Sequence, residues 1–372
     1  MTLLSVTAFR SGLFLAGSGL EGVLSQGATE AGLTSALSWG PPASAAGKDV
    51  GNGEGTVPSR QATAVSADLL VALAAVLSAL PPGAPVVIMV HGKGYCPTRP
   101  ELDPHRLIFA SRAGHGRSRH VSWPRRLGFA LPGPRDPLGL CIGFGWDARG
   151  RLWRATEGAD ATAPRLALLI RLIRALDPAR RIDLIGHSLG ARVILGAVPL
   201  VPDGTLGRVI LLAGADFTHR AAQALTSPAG QQAEFLNITT RENDLYDFLF
   251  ERAFSPLGRN LALGRGMGEG LGAARNWLDI QLDHPQTALA LRALGLPLAP
   301  PRARICHWSV YLRPGVFRLY RRLIHDRDRL TLPQLQAALE TAPQPRWSRI
   351  AEGWLPERAL AALSVRRSSA SR

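Results

Sequence analysis

In IDLIGHSLGARVILGAV, residues 182–198, an apolar run stops at Gly186 and resumes after Gly190, with Ser188 at the break. A serine hydroxyl is a poor nucleophile by itself. It needs a base to take its proton, a partner that orients the base, and donors for the oxyanion formed on attack. A turn from a strand into a helix meets part of that need. It lifts the side chain over the carboxyl edge of a sheet and sets it at a helix N-terminus, where unpaired N–H groups favour negative charge. Small residues two positions away on either side let neighbouring backbone come close. With 39 glycines in 372 residues the five-residue pattern is weak alone. The flanking elements carry the weight: RIDLIG reads as a buried strand and the segment from Leu189 as a helix. A helix N-cap is the plainer role for Ser188, but a cap needs neither glycine.

The surrounding elements form an alternating series. LLSVTAF and GLFLAG, either side of Arg10-Ser11, read as two short strands, and residues 1–17 as a leading hairpin. Residues 18–64 are rich in Gly, Ala, Ser and Thr and read as a low-complexity insertion. A helix is expected over 65–80. The β-branched run Val86 to Val90 that follows suits a strand buried on both faces. LCIGFGW (140–146), RVILLAGAD (208–216), EFLNITTREND (234–244) and ARICHW (303–308) are further expected strands. APRLALLIRLIRALD (163–177) and VFRLYRRLI are expected helices. Strands alternating with helices imply a parallel sheet covered on both faces, with the main domain over 65–330 and a helical, basic tail over 331–372.

Composition narrows the function classes. The formal net charge is +15, but lysine occurs only at Lys48 and Lys93, and the arginines are spread through nearly every segment. A solvated basic surface accounts for that pattern, and no nucleic-acid motif accompanies it. Cys96, Cys141 and Cys306 are too few and too irregularly spaced for a disulfide framework or a zinc site. The N-terminal segment lacks cations before its apolar residues, and the apolar segment at 64–80 is too short to span a bilayer comfortably. A cytoplasmic protein without stable membrane insertion is the expectation.

Gly186-His187-Ser188-Leu189-Gly190, set between a strand and a helix, resembles the nucleophile elbow G-x-S-x-G of the α/β-hydrolase family. The form with histidine before the serine and leucine after it is among the commonest in that family. The resemblance covers roughly residues 84 to 325 and the leading hairpin. It implies an α/β-hydrolase fold, with a mostly parallel sheet of about eight strands, and the chain order nucleophile, acid, base. His91-Gly92-Lys93-Gly94 is similar to the family's oxyanion loop, which makes the main-chain N–H groups of Lys93 and Leu189 the oxyanion donors and His91 a loop-holding residue. The acid is then expected at Asp244, with Asp216 and Asp247 as alternatives. The base is expected at His307, with His284 the alternative; His325 reads as solvated. His187 reads as a packed histidine outside the chemistry. The basic loop SRAGHGRSRHVSWPRR (111–126) is expected to overhang the pocket and to favour an anionic substrate group. The implied activity is that of a serine esterase or lipase-like hydrolase. It would act on a small carboxylic ester or related acyl substrate through an acyl-enzyme on Ser188, without metal or organic cofactor. An acyltransferase, or a non-catalytic ligand-binding protein on the same fold, is the alternative.

Overall fold

The computed structural model describes residues 3–9, 12–15, 64–112, 120–129, 139–267, 274–339 and 343–351. Most of the 18–64 segment and the end of the basic tail lie outside the described residues, as do residues 113–119 of the basic loop. In chain order the strands are β1 Leu3–Phe9, β2 Gly12–Leu15, β3 Ala64–Val65, β4 Val86–Val90, β5 Leu140–Gly145, β6 Ile182–His187, β7 Leu206–Leu212, β8 Glu234–Thr239 and β9 Trp277–Gln281. The helices that matter here are α1 Ala67–Ala79, α2 Trp123–Arg126, α3 Leu152–Leu176, α4 Leu189–Ala197, α5 Thr218–Thr226, α6 Pro228–Gln232 and α7 Asp244–Phe254. Further along lie α8 Pro285–Ala293, α9 Ser309–Leu312, α10 Val316–His325 and α11 Leu332–Ala338.

The strands form one sheet in the order β3-β2-β1-β5-β4-β6-β7-β8-β9. The leading hairpin pairs antiparallel, from Val6 opposite Leu15 to Phe9 opposite Gly12. From β1 through β9 every other neighbouring pair runs parallel. The central strands are mostly apolar because both faces are covered, β4 without exception; Asp183 on β6 and Arg208 on β7 are the buried charged residues among them. On β4, Val86, Ile88 and Val90 enter the core under α1, α3 and α4, while Val87 and Met89 enter the core under α9 and α10. Each such fully buried branched side chain contributes about 1.5–3 kcal/mol. The chain leaves β4 for β5 on one side and crosses back to β6 on the other, so the loops after β4 and β6 meet above the sheet where the winding reverses. This is the α/β-hydrolase fold, with nine described strands in place of the expected eight or so.

Three expectations fail locally. Residues 303–308 form no strand; the last strand is β9, whose WLDIQ segment pairs in register with β8. Helix α3 begins at Leu152, eleven residues before the expected start, and runs through Pro164. The proline removes one helical donor, and Thr162 Oγ bonds the Gly158 carbonyl in the turn before it (2.7 Å). The third is EFLNITTREND, which is a strand only to Thr239. Arg241–Asn243 form a 3₁₀ turn, and Asp244 opens α7.

Candidate active site

Ser188 sits between β6 and α4 at φ 55°, ψ −122°, a backbone conformation that L residues rarely adopt. Three main-chain hydrogen bonds hold it there. Its N–H donates to the Leu212 carbonyl, and its own carbonyl accepts from Ala191 and Ala215 N–H, each at 3.0 Å. The glycines are required by close approach. A Cβ at Gly190 would stand 2.4 Å from the Val90 carbonyl oxygen, and one at Gly186 would stand 2.6 Å from Ile194 and 2.9 Å from Gly190 backbone. A Cβ at Gly92 would meet Ser188 Cβ and the His187 carbonyl oxygen at 2.8 Å, so the loop after β4 lies directly on the serine turn.

His91 fastens that loop. Its Nε2 accepts from Trp146 N–H at 3.0 Å, which leaves Nδ1 to donate to the Gly92 carbonyl at 2.9 Å. Trp146 Nε1 donates back to the His91 carbonyl (3.1 Å), and the two rings stack. Burial holds the His91 pKa down to about 3, so the imidazole stays neutral and the pattern does not titrate near neutrality. Lys93 is exposed, and among the described residues its N–H donates to no backbone acceptor outside regular secondary structure. The same holds for Leu189, which as the first residue of α4 has no intrahelical acceptor.

His307 lies against the serine turn from the far end of the chain. Its ring is 4.6 Å from that of His187, whose Nε2 donates to the His307 carbonyl at 3.1 Å. Burial lowers the His187 pKa to about 4, which keeps it a neutral donor. Tyr246, on α7, stacks on His307 at 4.7 Å. The loop carrying His307 is tied to the 3₁₀ turn: Cys306 N–H donates to the Glu242 carbonyl (2.8 Å) and Ala303 N–H to Glu242 Oε1 (3.2 Å). Glu242 is itself locked in a buried ion pair with Arg313. Burial, with His187 nearby, holds His307 well below the ordinary histidine pKa.

The partner of His307 Nδ1 is not Asp244. It is Asn243, whose Oδ1 lies 2.6 Å away. Asp244 Oδ2 accepts from Trp347 N–H at 2.6 Å, and its Oδ1 pairs with Arg241 at 3.2 Å. The reason is the 3₁₀ turn. Successive residues point about 120° apart on a 3₁₀ turn and about 100° apart on the α-helix that follows, so the side chain after Asn243 faces the segment at 346–347 and away from His307. The turn is closed locally by the Thr240 side chain, which accepts from Glu242 N–H (3.3 Å), and by Asn243 N–H, which donates to the Thr240 carbonyl (3.0 Å).

The alternatives have other duties. Asp216 is fully buried between Arg192 (2.8 Å) and Arg220 (2.9 Å), and both arginines also reach Asp160. Asp216→Asn is expected to cost about 3–5 kcal/mol of stability by leaving buried arginines undercompensated, with little change in turnover of the folded fraction; chemical denaturation beside active-site titration checks this. His284 caps α8 by accepting from Gln286 N–H (3.2 Å). His325 is half-buried, not solvated: its Nε2 donates to the Leu127 carbonyl (2.8 Å) and its ring packs on Phe129.

Asp247 is buried one turn into α7 and accepts from Asn243 Nδ2 at 2.9 Å. Burial pushes its carboxyl up to about 7, against the pull of Arg241 and the Asn243 bond. A raised folded-state value means that folding favours the protonated acid, so stability drains away as pH climbs from the unfolded value near 4 through 7. Asp247→Asn is therefore expected to match the wild type near pH 4 and to exceed it by roughly 4 kcal/mol at pH 8, read from denaturant midpoints across that range.

Among the described residues no three His, Cys, Asp or Glu side chains gather as a metal site requires, and no helix is long and apolar enough to cross a membrane. No family model and no curated protein matches the chain. Solved structures similar to parts of it include the following two. Phospholipase PlaB from Legionella pneumophila, in complex with thio-NAD, is 14% identical with a TM-score of 0.23; the match covers 48% of this chain and 43% of that one. Prolyl oligopeptidase B from Galerina marginata, bound to a 35mer hydrolysis and macrocyclization substrate, is 11% identical with a TM-score of 0.24, over 70% of this chain and 34% of that one. The chain spans less than half the length of either, and at these scores the likeness carries no argument about its chemistry. The strand order and the geometry of the serine turn stand on their own.

Proposed function

We propose that the protein is a serine hydrolase that cleaves a carboxylic ester through an acyl-enzyme on Ser188. The single observation that carries this reading is the strained serine turn, held at φ 55° under Gly92, with the neutral His307 bonded at Nδ1 to Asn243 and packed on His187, the residue before the serine. With Nδ1 donating to Asn243 Oδ1, the lone pair of the ring is on Nε2, which is the form a general base requires.

In the proposed cycle His307 takes the Ser188 proton, the serine oxygen attacks the ester carbonyl, and the N–H groups of Lys93 and Leu189 receive the oxyanion. The leaving alcohol takes the proton from His307, and a water activated by the same ring then releases the acid. Asn243 holds the tautomer and the ring angle, the orienting role expected of Asp244 at the sequence level. His187 fixes the backbone of His307 and takes no proton.

A fluorophosphonate probe tests the reading. It should label the protein at a single peptide containing Ser188, and p-nitrophenyl esters of graded chain length should be hydrolysed and should protect against labelling. A folded protein that neither labels nor hydrolyses any of these esters would favour a non-catalytic binding role.

A further inference from the structure

Asn243 is an uncharged orienter, and its own orientation has to be set by something. An amide offers a carbonyl oxygen at one end and an NH₂ at the other, of nearly equal shape. If the two were exchanged, an N–H would face His307 Nδ1, the ring proton would move to Nε2, and the base would be lost. Asp247 supplies the asymmetry. An ionised carboxylate only accepts hydrogen bonds, so Asp247 Oδ1, 2.9 Å from Asn243 Nδ2, admits the NH₂ and turns the carbonyl oxygen toward His307.

The site around that carboxylate is built closely. Asp247 Oδ2 is buried without a hydrogen-bond partner among the described residues. Gly264 closes over it so tightly that a Cβ there would collide with the carboxylate. A buried acceptor left half-satisfied costs stability, and natural proteins keep such groups where they serve a purpose. Arg241 lies nearby and Asn243 is the one hydrogen-bond donor that Asp247 holds among the described residues.

We propose that Asp247, acting through the Asn243 amide, is the positioning carboxylate of the site: it fixes the amide so that His307 keeps its proton on Nδ1, and its charge polarises the amide oxygen toward the imidazolium formed during catalysis. The inference rests on the assignment of His307 as the base. Hydrogen-bonded chains strengthen one another in a low-dielectric interior, which gives the remote charge a path to the ring. Burial, helped by the nearby Asp244 charge, pushes the carboxyl up to about 7 against the opposing pull of Arg241, Asn243 and Arg346, so the relay is complete above neutrality and weakens below it.

The test compares three proteins, the wild type, Asp247→Asn and the exchanged pair Asn243→Asp/Asp247→Asn, by p-nitrophenyl acetate turnover and by the His307 ring-nitrogen NMR signals. In Asp247→Asn, kcat should fall roughly 30-fold with KM unchanged, well short of the ~10⁴-fold lost when a directly bonded carboxylate is neutralised, and the His307 proton should redistribute toward Nε2. The exchanged pair puts the carboxylate directly on His307 and should restore kcat to within about threefold and return the proton to Nδ1. In the wild type the His307 nitrogen signals should shift as pH rises through about 7, a measurement that requires no variant to fold. The inference is overturned if Asp247→Asn keeps both kcat and the Nδ1–H tautomer, if the folded exchanged pair is no better than the single variant, or if the wild-type signals ignore the titration of Asp247. The tautomer reports on the relay even without turnover. A wild type that hydrolyses no ester therefore sinks the hydrolase reading while the NMR arm still decides this one.

Discussion

Ser188→Ala is expected to lower ester turnover by about 10⁶-fold, the loss typical of removing a nucleophile that works as a unit with its base. Ser188→Gly should lose as much activity and yet yield the more stable protein. The serine backbone sits at φ 55°, ψ −122°, which costs a residue with a Cβ on the order of 1–3 kcal/mol and glycine far less. Part of that gain is offset by the greater freedom of glycine in the unfolded chain, leaving a net increase of about 1 kcal/mol. Thermal melts of the two variants beside the wild type separate these terms: equal stability of all three would mean that the turn relaxes when the hydroxyl is gone. The strain persists in the native protein because Leu212, Ala191 and Ala215 grip both ends of the Ser188 peptide unit, and because Gly92 and Gly190 let the loop after β4 settle on the turn.

What could be read from the amino-acid sequence follows the range of the interactions involved. Strands β4, β6 and β7 were legible because burial on both faces demands mainly apolar runs, unbroken in β4 and interrupted by Asp183 in β6 and Arg208 in β7, and Ser188 because two close backbone approaches demand glycine at fixed offsets. The edge of the sheet was harder. WLDIQ is short and its adjacent Trp277 and Leu278 break any period-2 alternation, so its strand signal is weak, whereas ARICHW was expected to be a strand although Pro297, Pro300 and Pro301 precede it and argue against one. The side chain that bonds His307 Nδ1 lies one residue before the expected Asp244. Nothing in a list of acids after the serine shows that Arg241–Asn243 wind into a 3₁₀ turn, and only the rotation of that turn decides which side chain meets His307. The His187 bond to the His307 carbonyl joins residues 120 apart, and the Glu242–Arg313 pair joins residues 71 apart. Contacts of that separation leave no local periodicity to find.

Asn243→Ala is accordingly expected to lower kcat by about 10³- to 10⁴-fold, approaching the effect of removing the acid from a serine triad, because the ring then loses both its tautomer lock and its angle. Asp244→Asn should leave kcat within about threefold of the wild type. For Asp244 to reach His307 it would have to release Trp347 N–H and Arg241 and swing across the turn that points it the other way. Its loss should appear in stability instead, by about 1–3 kcal/mol, as a buried charge-assisted bond to Trp347 N–H is weakened and Arg241 is left undercompensated. Steady-state kinetics on the two variants at pH 8, each shown to be folded by its melting transition, give the ranking directly. If Asp244→Asn proved the slower enzyme, the carboxylate would have to move onto His307 when substrate binds, and the 346–347 segment that now holds it would have to open in the same step. In that case Trp347, packed on Phe248 and free to report by fluorescence, should change its emission on adding substrate, and with Asn243 as the resident orienter it should not.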